Sequence, residues 1–177
     1  MTDQYIITSI LNTTTLEQGF QALLDSYQER LYWHIRRIVH VHEDADDVLQ
    51  NVWVKVYRNI SKFDNKSSLY TWLYRIATNE ALTHNTKRKL KTSTLEGSVA
   101  HLLQSDPYFE GGEAIIQLKT AIAQLPEKQM LVFNMKYYEE MKYREISEIL
   151  GTSIGGLKAS YHHAVTKIKA SITSNIL

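Results

Sequence analysis

Between Phe63 and Lys91 the chain places Phe63, Tyr70, Trp72 and Tyr74 among Lys66, Arg75, Lys87, Arg88, Lys89 and Lys91. Flat rings stack on unpaired bases and cations hold phosphates, so this mixture suits the gripping of a single nucleic-acid strand. From Lys66 to Lys91 there are six Lys or Arg against one acid, Glu80, in a chain whose net charge is only +1. The positive charge is thus concentrated in one stretch, as a phosphate-binding surface requires. Rings at helical spacing also build cores, and on periodicity alone Tyr70, Trp72 and Tyr74 are open to that reading too.

Two further clusters carry chemistry. From Ile154 onward there are three lysines, the pair His162-His163 and no acid. With Tyr143–Leu150 before it and Gly151-Thr152-Ser153 between, this is helix-turn-helix spacing, with Ser153 as N-cap. Gly155 and Gly156 would allow close approach to a groove, while Lys158, Ser160 and His162 present donors to base edges. The same spacing also serves purely structural three-helix units. The other cluster is acidic: Glu43, Asp44, Asp46 and Asp47 lie in a stretch, Ile38 to Val52, with no Lys or Arg. Carboxylates there suit a helix N-terminus; a protein-binding face, continued by Gln50, Asn51, Lys55 and Arg58, is the alternative.

The elements that must position these clusters read as helices throughout. Two prolines and seven glycines in 177 residues, with 44% hydrophobic residues, favour helix and allow real cores. Ile6, Ile7, Ile10 and Leu11 predict a short first helix ending at Asn12-Thr13-Thr14-Thr15. Thr14 and Glu17 fit a capping box for a second, whose buried stripe is Phe20, Leu23, Leu24, Tyr27, Leu31, Ile35 and Ile38, with Arg30, Arg36 and Arg37 opposite. Val48, Leu49, Val52, Val56 and Ile60 bury a third. After the polar break Asp64-Asn65-Lys66-Ser67-Ser68, capped by Ser67 or Ser68, the fourth buries Leu69, Leu73, Ile76, Ala77 and Ala81. Thr71, Arg75, Thr78 and Asn79 are left on flanking or outer faces.

From Thr92 to about Gly112 the pattern fades into a tether. Helices are then expected over Glu113–Ala123, Lys128–Tyr138, Tyr143–Leu150 and Ile154 to about Ile172. The expected architecture is all-α: two small helical domains, residues 1–91 and 113–177, joined by a flexible linker, 92–112, the second domain a helix-turn-helix.

Several functions lose support. The chain has no cysteine, which removes disulfides, thiolate catalysis and cysteine-ligated zinc. His40 and His42 beside Glu43 and Asp44 lack metalloprotease spacing, and neither a glycine-rich phosphate loop nor an activated serine is present. His162-His163 reads as groove-facing or packed rather than metal-bound. No enzyme, cofactor or small-molecule substrate is expected. With no basic segment before an apolar run at the N-terminus and no stretch long enough to cross a bilayer, the expectation is a cytoplasmic protein without membrane insertion.

Three blocks in order, DADDVLQNVWVKVY, SSLYTWLYRIATNEA and LPEKQMLVFNMKYYEEMKYREISEILGTSIGGLKASYHHAVTKIK, resemble the bacterial RNA polymerase sigma factors of the extracytoplasmic-function group. The likeness runs from about Phe20 to Lys169. A stand-alone helix-turn-helix regulator, the competing reading, would explain only the last block. The resemblance implies that Asp44, Asp47, Gln50, Asn51 and Lys55 bind core polymerase. It implies that Asp64, Asn65, Lys66, Ser67 and Ser68 take a flipped base of the minus-ten element, with Tyr70, Thr71, Tyr74, Arg75 and Asn79 near the melted non-template strand. Lys87, Arg88, Lys89 and Lys91 would hold phosphates, and Thr152, Ser153, Gly155, Gly156, Lys158, Ser160, His162 and His163 would meet the duplex minus-thirty-five element. An anti-sigma factor is implied as a further partner. Leu73-Tyr74 stands where primary sigma factors carry a melting tryptophan pair, which implies dependence on a good promoter. Ser160 and His163 replace arginines common in the family, leaving fewer bidentate contacts to guanine.

Overall fold

Helix follows helix because each apolar stripe finds another to cover it. The computed structural model describes residues 2–91 and 112–174, and among these are eight α-helices: α1 (Asp3–Leu11), α2 (Leu16–Val39), α3 (His42–Asn59), α4 (Leu69–Lys91), α5 (Glu113–Ala123), α6 (Glu127–Tyr137), α7 (Tyr143–Leu150) and α8 (Ile154–Ser174). A short 3-10 turn, Ile60–Lys62, ends α3. The expected tether falls on residues 92–111, outside the described residues, as do the side chains of Lys89 and Lys91.

Among the described residues, chain contacts form two compact units, one of residues 2–39 with 43–85 and the other of 40–42 with 86–91 and 112–174. In the first unit α1 folds back antiparallel on α2: Asp3 meets Tyr27 near one end, and Ser9 and Ile10 meet Gly19 near the other. The turn between them is not the expected capping box. The Asn12 side chain accepts from both the amide (3.1 Å) and the hydroxyl (2.7 Å) of Thr14, so Thr14 is held in an Asx turn and α2 starts at Leu16. α2 runs antiparallel to α3, Phe20 packing on Trp53 and Tyr57. It runs parallel to α4, as Arg30 to Tyr70, His34 to Thr78 and Ile38 to Asn85 show.

The shared core holds Leu23, Leu31, Ile35, Ile38, Val52, Val56, Leu69 and Leu73, all at most 1% exposed. Each such side chain contributes about 1.5–3 kcal/mol by leaving water. The core also takes in polar groups: Thr71, Thr78 and His34 are each 1% exposed. The Thr78 hydroxyl donates to the Tyr74 carbonyl at 2.7 Å, so the His34 Nε2–H donates to Thr78 Oγ1 at 2.9 Å. Arg36, expected on the outer face of α2, is 9% exposed.

Tyr27 ties α1 to this core. Its hydroxyl donates to Asp3 at 2.7 Å, and burial first, then that hydrogen bond and the Asp3 charge, push its pKa well above the tyrosine range. The unfolded phenol ionises near pH 10, so in the alkaline window above that the unfolded state releases a proton the folded state keeps. Stability from Tyr27 is present below pH 10 and falls above it. Tyr27→Phe should give a shallower alkaline decline in melting temperature between pH 9 and 11 than wild type; parallel curves would contradict this.

In the second unit α5, α6 and α7 all pack on α8. Phe133 of α6 stacks on Tyr161 of α8 at 5.9 Å and 15°, and Leu157 and Ile146 are fully buried. The turn between α7 and α8 is built as the spacing predicts. Gly151 takes the left-handed φ of 62° that a side chain resists and returns its N–H to Ser147. Ser147 donates to the Thr152 carbonyl at 2.7 Å, and Ser153 Oγ accepts the Gly156 amide at 3.2 Å as the N-cap of α8.

Candidate nucleic-acid and polymerase interfaces

The loop before α4 is a set of polar groups on a rigid rim. Phe63 is 8% exposed and packs on the half-buried Trp72 at 5.3 Å, anchoring the loop's first end. At the other end Ser68 caps α4, its Oγ accepting from the Thr71 amide at 3.1 Å and lying 2.8 Å from the Thr71 hydroxyl. Between them Asn65 takes a left-handed φ of 56°, which asparagine tolerates. Asp64 accepts the Lys66 amide at 3.2 Å and pairs with its ammonium at 2.6 Å. That hydrogen bond lowers the Asp64 pKa and raises that of Lys66, and both side chains are exposed. An exposed pair of this kind gives way readily to a phosphate.

Along α4 the expected strand-binding residues separate into two groups. Tyr70 and Arg75 are half-buried, and Asn79, Lys87 and Arg88 are exposed. The Arg75 Nε is out of solvent without a hydrogen-bond acceptor among the described residues. Thr71 and Tyr74, expected near the separated strand, are instead buried, at 1% and 0% exposed. Thr71 is taken up by the Ser68 cap, while the Tyr74 ring lies 4.8 Å from His34 and 4.3 Å from Tyr70, inside the α2–α4 contact. Neither offers a surface to a base.

The polar face of α3 also divides. Asp44 lies 3.6 Å from His84 of α4, and Lys55, itself exposed, pairs with Glu80 of α4. Asp47, Gln50 and Asn51 are exposed, as are Arg58 and the apolar Val54 and Tyr57. Val54, 48% exposed one turn beyond Gln50 and Asn51, lies outside the buried stripe that the periodicity picks and, being apolar, was not among the expected contact residues. An apolar residue ringed by polar ones is the composition of a protein contact.

On α8, Gly155, Lys158, His162 and His163 are exposed, whereas Thr152, Gly156 and Ser160 are half-buried. Gly155 faces open space; a Cβ at Gly156 would come within 3.3 Å of the capping Ser153 hydroxyl, so that glycine serves the turn. Tyr143, which the spacing did not single out, has Lys136 and Lys158 at 5.4 and 6.0 Å from its ring centroid, gathering two cations beside the first residue of α7. Among the described residues no helix is long and apolar enough to cross a membrane, and no His, Cys, Asp or Glu cluster could hold a metal.

Residues 23–90 match the family model for sigma-70 region 2, and residues 115–168 that for sigma-70 region 4. The chain is 30% identical over 159 residues to the ECF RNA polymerase sigma factor SigW of Bacillus subtilis, covering 82% of this chain and 84% of that one. It is 28% identical over 184 residues to the ECF RNA polymerase sigma-E factor of Haemophilus influenzae, covering 97% and 96%. Among solved structures it resembles the sigma factor RpoE of Bartonella quintana, in complex with the anti-sigma factor NepR, with a TM-score of 0.74 at 20% identity over 88% of this chain and 98% of that one. It also resembles CnrH, in complex with the cytosolic domain of CnrY, with a TM-score of 0.73 at 17% identity over 97% of each. With both regions present in order on two helical units, the chain belongs to the extracytoplasmic-function sigma factors of the sigma-70 family, which bind core RNA polymerase and direct promoter-specific initiation of transcription.

Proposed function

We infer that the chain divides its work between residues 1–91 and 113–177, and that each assigned surface has one partner. Asp47, Gln50 and Asn51, joined by Val54, meet core polymerase, with Asp44 and Lys55 bracing α3 against α4 behind them. The loop 64–68 takes a flipped base of the minus-ten element. Tyr70, Arg75 and Asn79 line the path of the non-template strand, and Lys87 and Arg88, continued by Lys89 and Lys91, hold its phosphates. Lys158, His162 and His163, at the start of α8, read the duplex minus-thirty-five element. The chain supplies recognition and no catalytic group, and works in the cytoplasm. An anti-sigma factor is a fitting further partner, since RpoE was solved with one; it would cover the α3 face or α8.

The observation that carries this reading is the exposed Lys66–Asp64 ion pair in the loop before α4, followed along the helix by the exposed Asn79, Lys87 and Arg88. Phosphates of a separated strand can take the place of Asp64 on Lys66, and holding strand and bases offsets an unpairing cost of a few kcal/mol per extruded base. Arg75→Ala and Lys66→Ala should each slow promoter opening, followed by permanganate reactivity of unpaired thymines, by roughly tenfold, the loss of one charge-assisted contact. Unchanged opening in both variants would remove the assigned surface.

A further inference from the structure

The exposed side of α8 runs in two rows, Ile154, Lys158 and His162 four residues apart in one and Gly155, Ala159 and His163 in the other. The opposite side, with Leu157, Ala164 and Ile168 at 0%, 0% and 6% exposed, belongs to the core of the second unit. Ile154 does not share that burial. At 43% it is the exposed large apolar side chain of α8, in the first turn that the Ser153 cap begins. A lone isoleucine on a protein surface needs no explanation. This one stands in the row that also presents Lys158 and His162, at the end of the helix that a helix-turn-helix sets against base edges.

The fold does not call for the glycine beside it. Glycine is a weak helix former, the Gly155 backbone is not left-handed, and an added Cβ would meet nothing within 4 Å. What glycine gives at an exposed helical position is close approach of the backbone to whatever lies outside. Brought that close, an isoleucine strips water from the donors and acceptors of base edges without replacing their hydrogen bonds, which is unfavourable. In unmodified DNA the major groove offers one apolar group that it can cover without that loss, the C5-methyl of thymine.

We propose that Ile154 packs on the C5-methyl group of a thymine in the minus-thirty-five element, and so fixes an A·T pair there in addition to the pairs read by Lys158, His162 and His163. The proposal rests on the reading of α8 as the helix that enters the duplex. Charge favours duplex DNA over a protein as the occupant, since from Ile154 to its end the chain has three lysines and no acid.

The test uses the full chain with core RNA polymerase on a promoter recovered by run-off transcription. Each thymine of the upstream element, on either strand, is replaced in turn by deoxyuridine, which lacks only the methyl group. Wild type should lose about fourfold in affinity at one thymine, the size of one methyl group withdrawn from water. Ile154→Ala should bind the thymine and deoxyuridine duplexes equally, Ile154→Val should keep part of the difference, and both should melt like wild type. If Ile154→Ala keeps the whole wild-type penalty, another residue reads the methyl and the proposal falls alone. It also falls alone if no thymine shows a penalty while changed upstream base pairs still lower affinity. If changed upstream base pairs make no difference to wild type, the duplex-reading assignment of α8 fails and the proposal with it.

Discussion

Tyr74→Ala is expected to cost the first unit about 3–5 kcal/mol, as removal of a buried aromatic ring generally does, and to lower its melting temperature by more than about 10 °C. Family resemblance puts Leu73-Tyr74 where primary sigma factors carry their melting wedge, but both side chains are 0% exposed. The Tyr74 ring sits between Tyr70 and His34, and its carbonyl accepts the Thr78 hydroxyl that in turn receives His34. Removing the ring opens a cavity beside a buried polar pair, which the surrounding helices fill only in part. Loss of promoter opening in this variant would thus be loss of the folded unit. Tyr74→Phe, which keeps the ring, should retain most of the stability and opening. A Tyr74→Ala protein that melts like wild type but fails to open promoters would show instead that the ring leaves the core to act on DNA.

Gly19→Ala should be the next most damaging change to the same unit. A Cβ there would stand 2.7 Å from the backbone nitrogen of Ile10 and 2.8 Å from the carbonyl carbon of Ser9. Backbone cannot swing aside as a long side chain can, so α1 must lift from α2, a strain of about 1–3 kcal/mol. That displacement would loosen the Thr15 hydroxyl from the Ser9 carbonyl and Tyr27 from Asp3. Limited proteolysis should cut α1 faster in Gly19→Ala, with a melting temperature several degrees lower; unchanged cleavage and melting would mean that the crossing has slack.

Short-range features were legible in the sequence because their partners lie within a few residues. Ser68 and Ser153 cap their helices, and Gly151 makes the turn whose left-handed backbone favours glycine. Where two local options competed, the sequence did not decide: Thr14 could cap α2 or bond to Asn12, and the Asx turn prevailed. Long-range partners were out of reach. The apolar stripe of α4 names Leu69, Leu73, Ala77 and Ala81, but α2 lies alongside in parallel and widens the buried arc to Thr71, Tyr74 and Thr78. Ile76, expected inside, is only half-buried. The same limit hid the partners of Asp44 and Lys55, two residues of α3 whose charges are met by His84 and Glu80 of α4.

This chain gives core RNA polymerase its promoters, and run-off transcription on a genomic promoter library, with core enzyme alone and with the chain added, reads that out. Start sites that appear only with the chain, and share an upstream sequence, are the expected result. No new start sites, together with protection of a duplex by the chain alone, would contradict it and leave a helix-turn-helix regulator in its place.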